Sequence, residues 1–134
     1  MPDGYELLHS GRKCVVVMKS GVRKEIMKKA REKQAGLQDI IEHYCDGGPE
    51  NLPRGKYNGN EGWFPSAKDK RIRLEALKPR QLRAYGFCQQ FNGRQTLFIT
   101  GVDISKKQDG ADQTILQNSG KEAVRIYGLL KVGE

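Results

Sequence analysis

Hydrophobic positions along the chain change period several times, and each change marks an element. Residues 14–18, CVVVM, form an unbroken apolar run of β-favouring side chains and predict a strand. After the polar turn Lys19-Ser20-Gly21 the apolar residues move to every fourth position, at Val22, Ile26 and Ala30. Leu37, Ile40, Ile41 and Tyr44 carry a second stripe of the same kind. Residues at i and i+4 share one face of a 3.6-residue helix. The two stripes therefore predict an antiparallel helix pair or one kinked rod, broken at Gly36.

Residues 46–70 lose this periodicity. Their glycines and prolines predict a long, turn-rich, insertion-like connection. Trp63 and Phe64 within it predict a plug folded back over the core, with base stacking as the other use for such rings. Three strands follow, over 72–78, 82–91 and 96–104. In the second of these, Leu82, Ala84, Gly86 and Cys88 fall on one side, and Arg83, Tyr85 and Phe87 on the other. Asn92-Gly93 supplies the positive φ angles of a tight hairpin. The run 96–104 is the most apolar and is predicted to be central. A last helical stripe runs through Ile115, Leu116, Ser119, Ala123, Ile126, Tyr127 and Leu130, with a bend at Gly120. The order β-α-α-β-β-β-α predicts an α+β sandwich: an antiparallel sheet with helices packed on one face, in a single domain over 1–134.

Charge adds a partner class. The chain of 134 residues has a formal charge of +8, which points to an acidic partner, nucleic acid being the commonest; a merely soluble basic surface is the plain alternative. The charge is also divided. Residues 12–33 hold nine Lys and Arg against Glu25 and Glu32, whereas 36–51 hold Asp39, Glu42, Asp46 and Glu50 and no cation. Either these two faces attract each other, or the basic one is a footprint for RNA or an acidic protein. No apolar run approaches membrane-spanning length and no cleavable signal opens the chain, which predicts a cytoplasmic protein with no membrane partner. Cys14, Cys45 and Cys88 are odd in number, without a CxxC pair, and predict reduced, buried thiols. His43 lies near Cys45, but no second ligand pair follows, so neither metal nor cofactor is expected.

The segment LRAYGFCQQFNGRQTLFITGVDISKK with its following helix, within residues 72–130, resembles the RelE/HigB/ParE toxin superfamily of bacterial toxin–antitoxin modules, its HigB-like branch most closely. Members carry an Arg-x-x-Tyr-Phe-like strand, a glycine hairpin, an apolar strand ending in Lys-Lys, and a helix. This chain departs from them after Lys107. Gln108-Asp109-Gly110-Ala111-Asp112 stands where the family is basic. The resemblance implies a type II toxin: a metal-independent endoribonuclease that cuts messenger RNA in the ribosomal decoding site and is neutralised by a cognate antitoxin protein. A homodimer stays open. So do two alternatives, a non-catalytic basic module for nucleic acid or protein and a ParE-like gyrase inhibitor.

Such cleavage needs a deprotonated 2′-hydroxyl, a stabilised in-line phosphate and a protonated leaving oxygen. By the resemblance, Arg83 holds the scissile phosphate through a forked contact, and Tyr85 on the same strand face stacks on a base or orients the nucleophile. Lys106 and Lys107 neutralise phosphate, and Arg125 and Tyr127 on the last helix are further catalytic candidates. Tyr127 also falls on the apolar stripe, where a core role is the alternative. Lys78, Arg80 and Arg73 are the candidate RNA-binding cations, with plain solubility as the alternative use. The stretch 77–87, LKPRQLRAYGF, mixes cations with rings and so predicts a surface that grips phosphates while stacking on bases. No Ser-His-Asp order, glycine-rich phosphate loop or paired-carboxylate motif occurs, and Glu61 and Asp103 stand isolated in the sequence.

Overall fold

The computed structural model describes residues 1–53, 55–66, 70–104 and 112–132. The apolar run forms a strand over Val15–Lys19 (β2), preceded by a strand over Tyr5–Ser10 (β1). Two helices follow, Ser20–Lys29 (α1) and Gln34–Gly47 (α2), then strands Tyr57–Pro65 (β3), Arg71–Leu77 (β4), Arg83–Phe91 (β5) and Arg94–Asp103 (β6), and the helix Gln113–Val132 (α3). The six strands make one sheet in the order β1-β2-β6-β5-β4-β3. The apolar strand predicted to be central, β6, lies inside the sheet between β2 and β5. Asn92 and Gly93 adopt φ values of 52° and 76°, the paired left-handed residues of the expected β5–β6 hairpin.

The mixed α+β class and the expected elements are present, with two strands added. β1 was invisible to periodicity because it is an edge strand whose Leu7 stays exposed. β3 crosses the segment expected to be turns. Its ladder with β4 is interrupted between Asn58 and Gly62, a bulge that lets a glycine-rich stretch pair at all. The sheet is also not wholly antiparallel. β2 pairs with β6 in parallel, which the long crossover through α1 and α2 permits.

Alternation along the strands feeds two separate cores. Val16 and Met18 of β2, Ala84 of β5 and Leu97 and Ile99 of β6 pack with Val22 and Ile26 of α1 and Leu37, Ile41 and Tyr44 of α2. Val17, Tyr85, Phe87 and Phe98, their neighbours in sequence, pack instead with Leu116, Ala123, Ile126 and Tyr127 of α3. Successive strand residues point to opposite faces, so α1 and α2 share one face as expected while α3 covers the other. This corrects the one-face arrangement: the pattern of each helix shows which stripe is buried, not which side of a sheet receives it.

Two glycines have other uses than the breaks assigned to them. The α1–α2 break falls at Ala30, whose φ of −146° leaves the helical region, followed by a single 3-10 turn over Arg31–Lys33. Gly36 lies within α2, facing Pro79. α3 runs unbroken past Gly120, where an added Cβ would stand 2.3 Å from the Phe64 ring. Gly120 is thus a notch that receives Phe64, and half of the predicted aromatic plug is present. Trp63, its neighbour, is 47% exposed.

Candidate functional site

The stretch 77–87 divides between the two cores. Leu77, Leu82 and Ala84 enter the α1–α2 core, and Tyr85 and Phe87 the α3 core. Pro79 is buried, Lys78 half-buried and Arg80 exposed. The connection is tied down from both sides. The Lys78 N–H donates to the Lys56 carbonyl at 2.8 Å. Lys33 Nζ donates to the carbonyls of Gln81 at 2.9 Å and Ile104 at 2.8 Å, locking this loop to the end of β6. The expected surface of interleaved cations and rings is therefore absent, because both rings of this stretch are core residues.

Arg83 lies opposite Asp103 in the β5–β6 ladder, on the face of Tyr85. Its Nη1 stands 3.2 Å from Glu61 Oε1 and donates to Glu61 Oε2 at 3.3 Å, and the two side chains are 16% and 7% exposed. Glu61 reaches this point from the bulged part of β3. Arg83 Nε and the Tyr85 hydroxyl are buried without a hydrogen-bond partner. Burial raises the Tyr85 phenol above its ordinary range, the Glu61 and Asp103 charges add to the rise, and Arg83 opposes it. Tyr85 is therefore a protonated hydroxyl and no base. Glu61, isolated in sequence, meets the guanidinium in space and Asp103 lies across the ladder from Arg83, so a phosphate reaching Arg83 must first displace the Glu61 carboxylate.

The other catalytic candidates do not converge on this point. Arg125 is exposed on α3 and grips Glu122 with two contacts of 2.8 Å. Glu122 also accepts from the Tyr5 hydroxyl at 3.0 Å and lies 3.5 Å from Lys19 Nζ. That cluster belongs to β1, whereas Glu61 brings Arg83 to β3, and β1 and β3 are opposite edges of the sheet. Tyr127 is a core ring, with Lys70 and Lys131 ammonium groups 5.6 and 5.5 Å from its centroid. Lys106 and Lys107 lie outside the described residues. Among the described residues no group of His, Cys, Asp and Glu could hold a metal. Burial pushes the Cys45 thiol up to about 12, and Cys14 and Cys88 also lie above the usual thiol range, burial being the main cause. All three cysteines are free, with Cys14 and Cys45 buried and Cys88 partly so, and the raised values favour the thiol over the nucleophilic thiolate.

A second cation surface joins Arg73, one of the cations expected to bind RNA, to Trp63, for which base stacking was the other expected use, and adds Arg71. Trp63 pairs in register with Arg73, and the Arg71 guanidinium lies 5.1 Å from the indole centroid. Phe64 and Ile72 between them face the α3 core, so Trp63, Arg71 and Arg73 stand together on the other side of the sheet, all exposed. The signal was present in the Trp-Phe pair. Once 57–65 is taken as a strand, alternation sends one ring in and the other out. Among the described residues no ion pair joins α1 to α2, and Lys24, Lys28 and Lys29 remain exposed along α1. Lys13 of the basic segment does pair with Glu50 of the acidic one at 3.9 Å, so the divided charge serves mutual attraction there and stays open along α1.

Among the described residues no helix is long and apolar enough to cross a membrane. No protein-family model, curated protein or solved structure matches the chain.

Proposed function

We propose that this protein is the toxin of a type II toxin–antitoxin module, directed at messenger RNA on the ribosome. The observation that carries the reading is the strand around Arg83. The resembling segment forms a hairpin of β5 and β6, β6 pairs in parallel with the strand that precedes the two helices, and Arg83 lies at the hairpin's open end beside Asp103. Lys106 and Lys107 follow that end within three or four residues of chain. In this reading the ribosome fixes the RNA geometry, and the incoming phosphate exchanges with Glu61 on the Arg83 guanidinium. The stabilised species is the phosphate that gains charge on the way to the transition state.

A second reading has its own support. A non-catalytic basic module suits the neutralised Arg83, the buried Tyr85 and the separation of Arg125 from both. Controlled expression in a bacterium separates the two, with growth and messenger RNA 5′ ends followed together. Growth arrest with new RNA ends is the outcome expected of the toxin. Arrest with intact RNA turns the reading to DNA gyrase, and no arrest from soluble protein turns it to the binding module. Arg83→Ala is a poor control because it strands Glu61. The double variant Glu61→Leu/Arg83→Met removes both charges together and loses cleavage while the fold is kept.

A further inference from the structure

The outer surface of β3 and β4 has the composition of a site for an unpaired nucleic-acid strand. Trp63 is the largest exposed ring of the described residues and the only tryptophan of the chain. Arg71 lies over its indole, and Arg73 stands directly across the ladder. Neither arginine has a carboxylate partner among the described residues, in contrast to Arg23, Arg83 and Arg125. β3 is also an edge strand, with one row of backbone groups free of the ladder.

These features are costly without a ligand and useful with one. A flat π surface at nearly half exposure forfeits the burial such a ring normally gains. Stacking with a base recovers it, and every base has a π face, so the contact is tolerant of sequence. Two guanidiniums without a carboxylate partner among the described residues, within one ladder step of the ring, match phosphates spaced along a chain. A protein ligand is the poorer match. Around the two guanidiniums the indole and Pro65, which pairs with Arg71, make a small apolar area beside the desolvated core of a standard protein interface.

We infer that Trp63, Arg71 and Arg73 form a stacking surface for single-stranded RNA, distinct from the Arg83 end of the sheet. The inference rests on the proposal that the chain acts on RNA, and it adds where the strand is held. One base stacks on the indole, either displacing the Arg71 guanidinium or extending its stack. Arg71 and Arg73 then contact the phosphates on either side. The contact is made by a strand absent from the RelE-like pattern of the sequence, so it serves to hold RNA and not to cut it.

Trp63 is its own reporter. A short oligouridylate titrated into the full chain should quench and saturate the single-tryptophan emission. Labelled-RNA anisotropy should show affinity falling on the order of tenfold in Trp63→Ala and partly recovering in Trp63→Phe. Arg71→Ala and Arg73→Ala should each flatten the salt dependence by about 0.7 in the log–log slope, the single-strand value per phosphate. RNA that binds without changing the emission, and equally well to Trp63→Ala, overturns the inference. Absence of RNA binding overturns it too, as does tighter binding of the matching deoxy-oligomer. Growth and RNA-end mapping keep it apart from the toxin reading. Full cleavage by a Trp63→Ala protein that binds RNA normally sinks the stacking surface alone. Stacking on Trp63 by a protein that neither arrests growth nor cuts RNA supports the surface and sinks the toxin.

Discussion

Two arginine clusters on neighbouring strands have opposite fates. Arg83 is largely buried, paired with Glu61 and on the sheet face that carries the α3 core, whereas Arg71 and Arg73 are exposed, without carboxylate partners among the described residues and gathered round Trp63. The difference arises from the faces of the sheet. α3 runs along one face and packs over Tyr85 on the side that Arg83 shares, while Trp63, Arg71 and Arg73 occupy the other face of β3 and β4, and there they stay open to solvent. A guanidinium held in low dielectric is set in place by its partner and is costly to expose or strip. One in water is cheap to redirect. The first suits a group that must be positioned, the second a group that must receive a mobile chain.

The comparison breaks most directly at Glu61. Glu61→Ala removes the carboxylate paired with the largely buried Arg83 and should cost about 3 kcal/mol in urea unfolding. Arg73→Ala on the open surface should stay within about 0.5 kcal/mol of wild type. The double variant Glu61→Leu/Arg83→Met should be more stable than Glu61→Ala, because both members of the ion pair are removed together. Equal stability for Glu61→Ala and Arg73→Ala would erase the distinction.

The two rings of β3 sharpen it at the next scale. Gly120→Ala pushes a methyl into the Phe64 ring and should destabilise by about 1–3 kcal/mol, with recovery in Gly120→Ala/Phe64→Leu. Trp63→Ala, one residue away, should leave the unfolding midpoint nearly unchanged while weakening RNA binding about tenfold. A large stability loss at Trp63 would mean that the ring belongs to the fold and not to a ligand.

The smallest effect lies at the β1 edge. Burial would raise the Glu122 carboxyl, but Arg125, the Tyr5 hydroxyl and Lys19 outweigh it and hold it below its ordinary value. A carboxyl depressed in the folded state contributes stability above its unfolded pKa and loses it as pH falls through the folded value. Between about pH 5 and pH 3 the wild type should therefore lose more stability than Glu122→Gln. Parallel pH profiles would show that this exposed-edge cluster contributes nothing.

The sequence was most legible where one period ran for long enough. β2, β4, β5 and β6 and the apolar stripes of all three helices lie where alternation and four-residue spacing put them. It was least legible at the edges. β1 and β3 are stabilised by pairing with β2 and β4, not by patterns of their own, and β3 carries a bulge that destroys its alternation. The same bulge hid the partner of Arg83. Glu61 comes to Arg83 only because extra residues of β3 loop out opposite β4, a long-range contact with no local signature. Gly36 and Gly120 were read as breaks because their isolated effect on a helix is unfavourable, yet both lie within helices, and at Gly120 the Phe64 ring comes close to the backbone. Tyr85 shows the limit of alternation. It gave the correct face beside Arg83, but whether a face is covered depends on which helix crosses it.

Cleavage of messenger RNA by the purified protein on programmed ribosomes tests the central claim most directly. The account predicts new RNA ends that appear only when ribosomes are present, are lost in Glu61→Leu/Arg83→Met, and are weakened but not abolished in Trp63→Ala. Messenger RNA left intact by folded wild-type protein on ribosomes would contradict it.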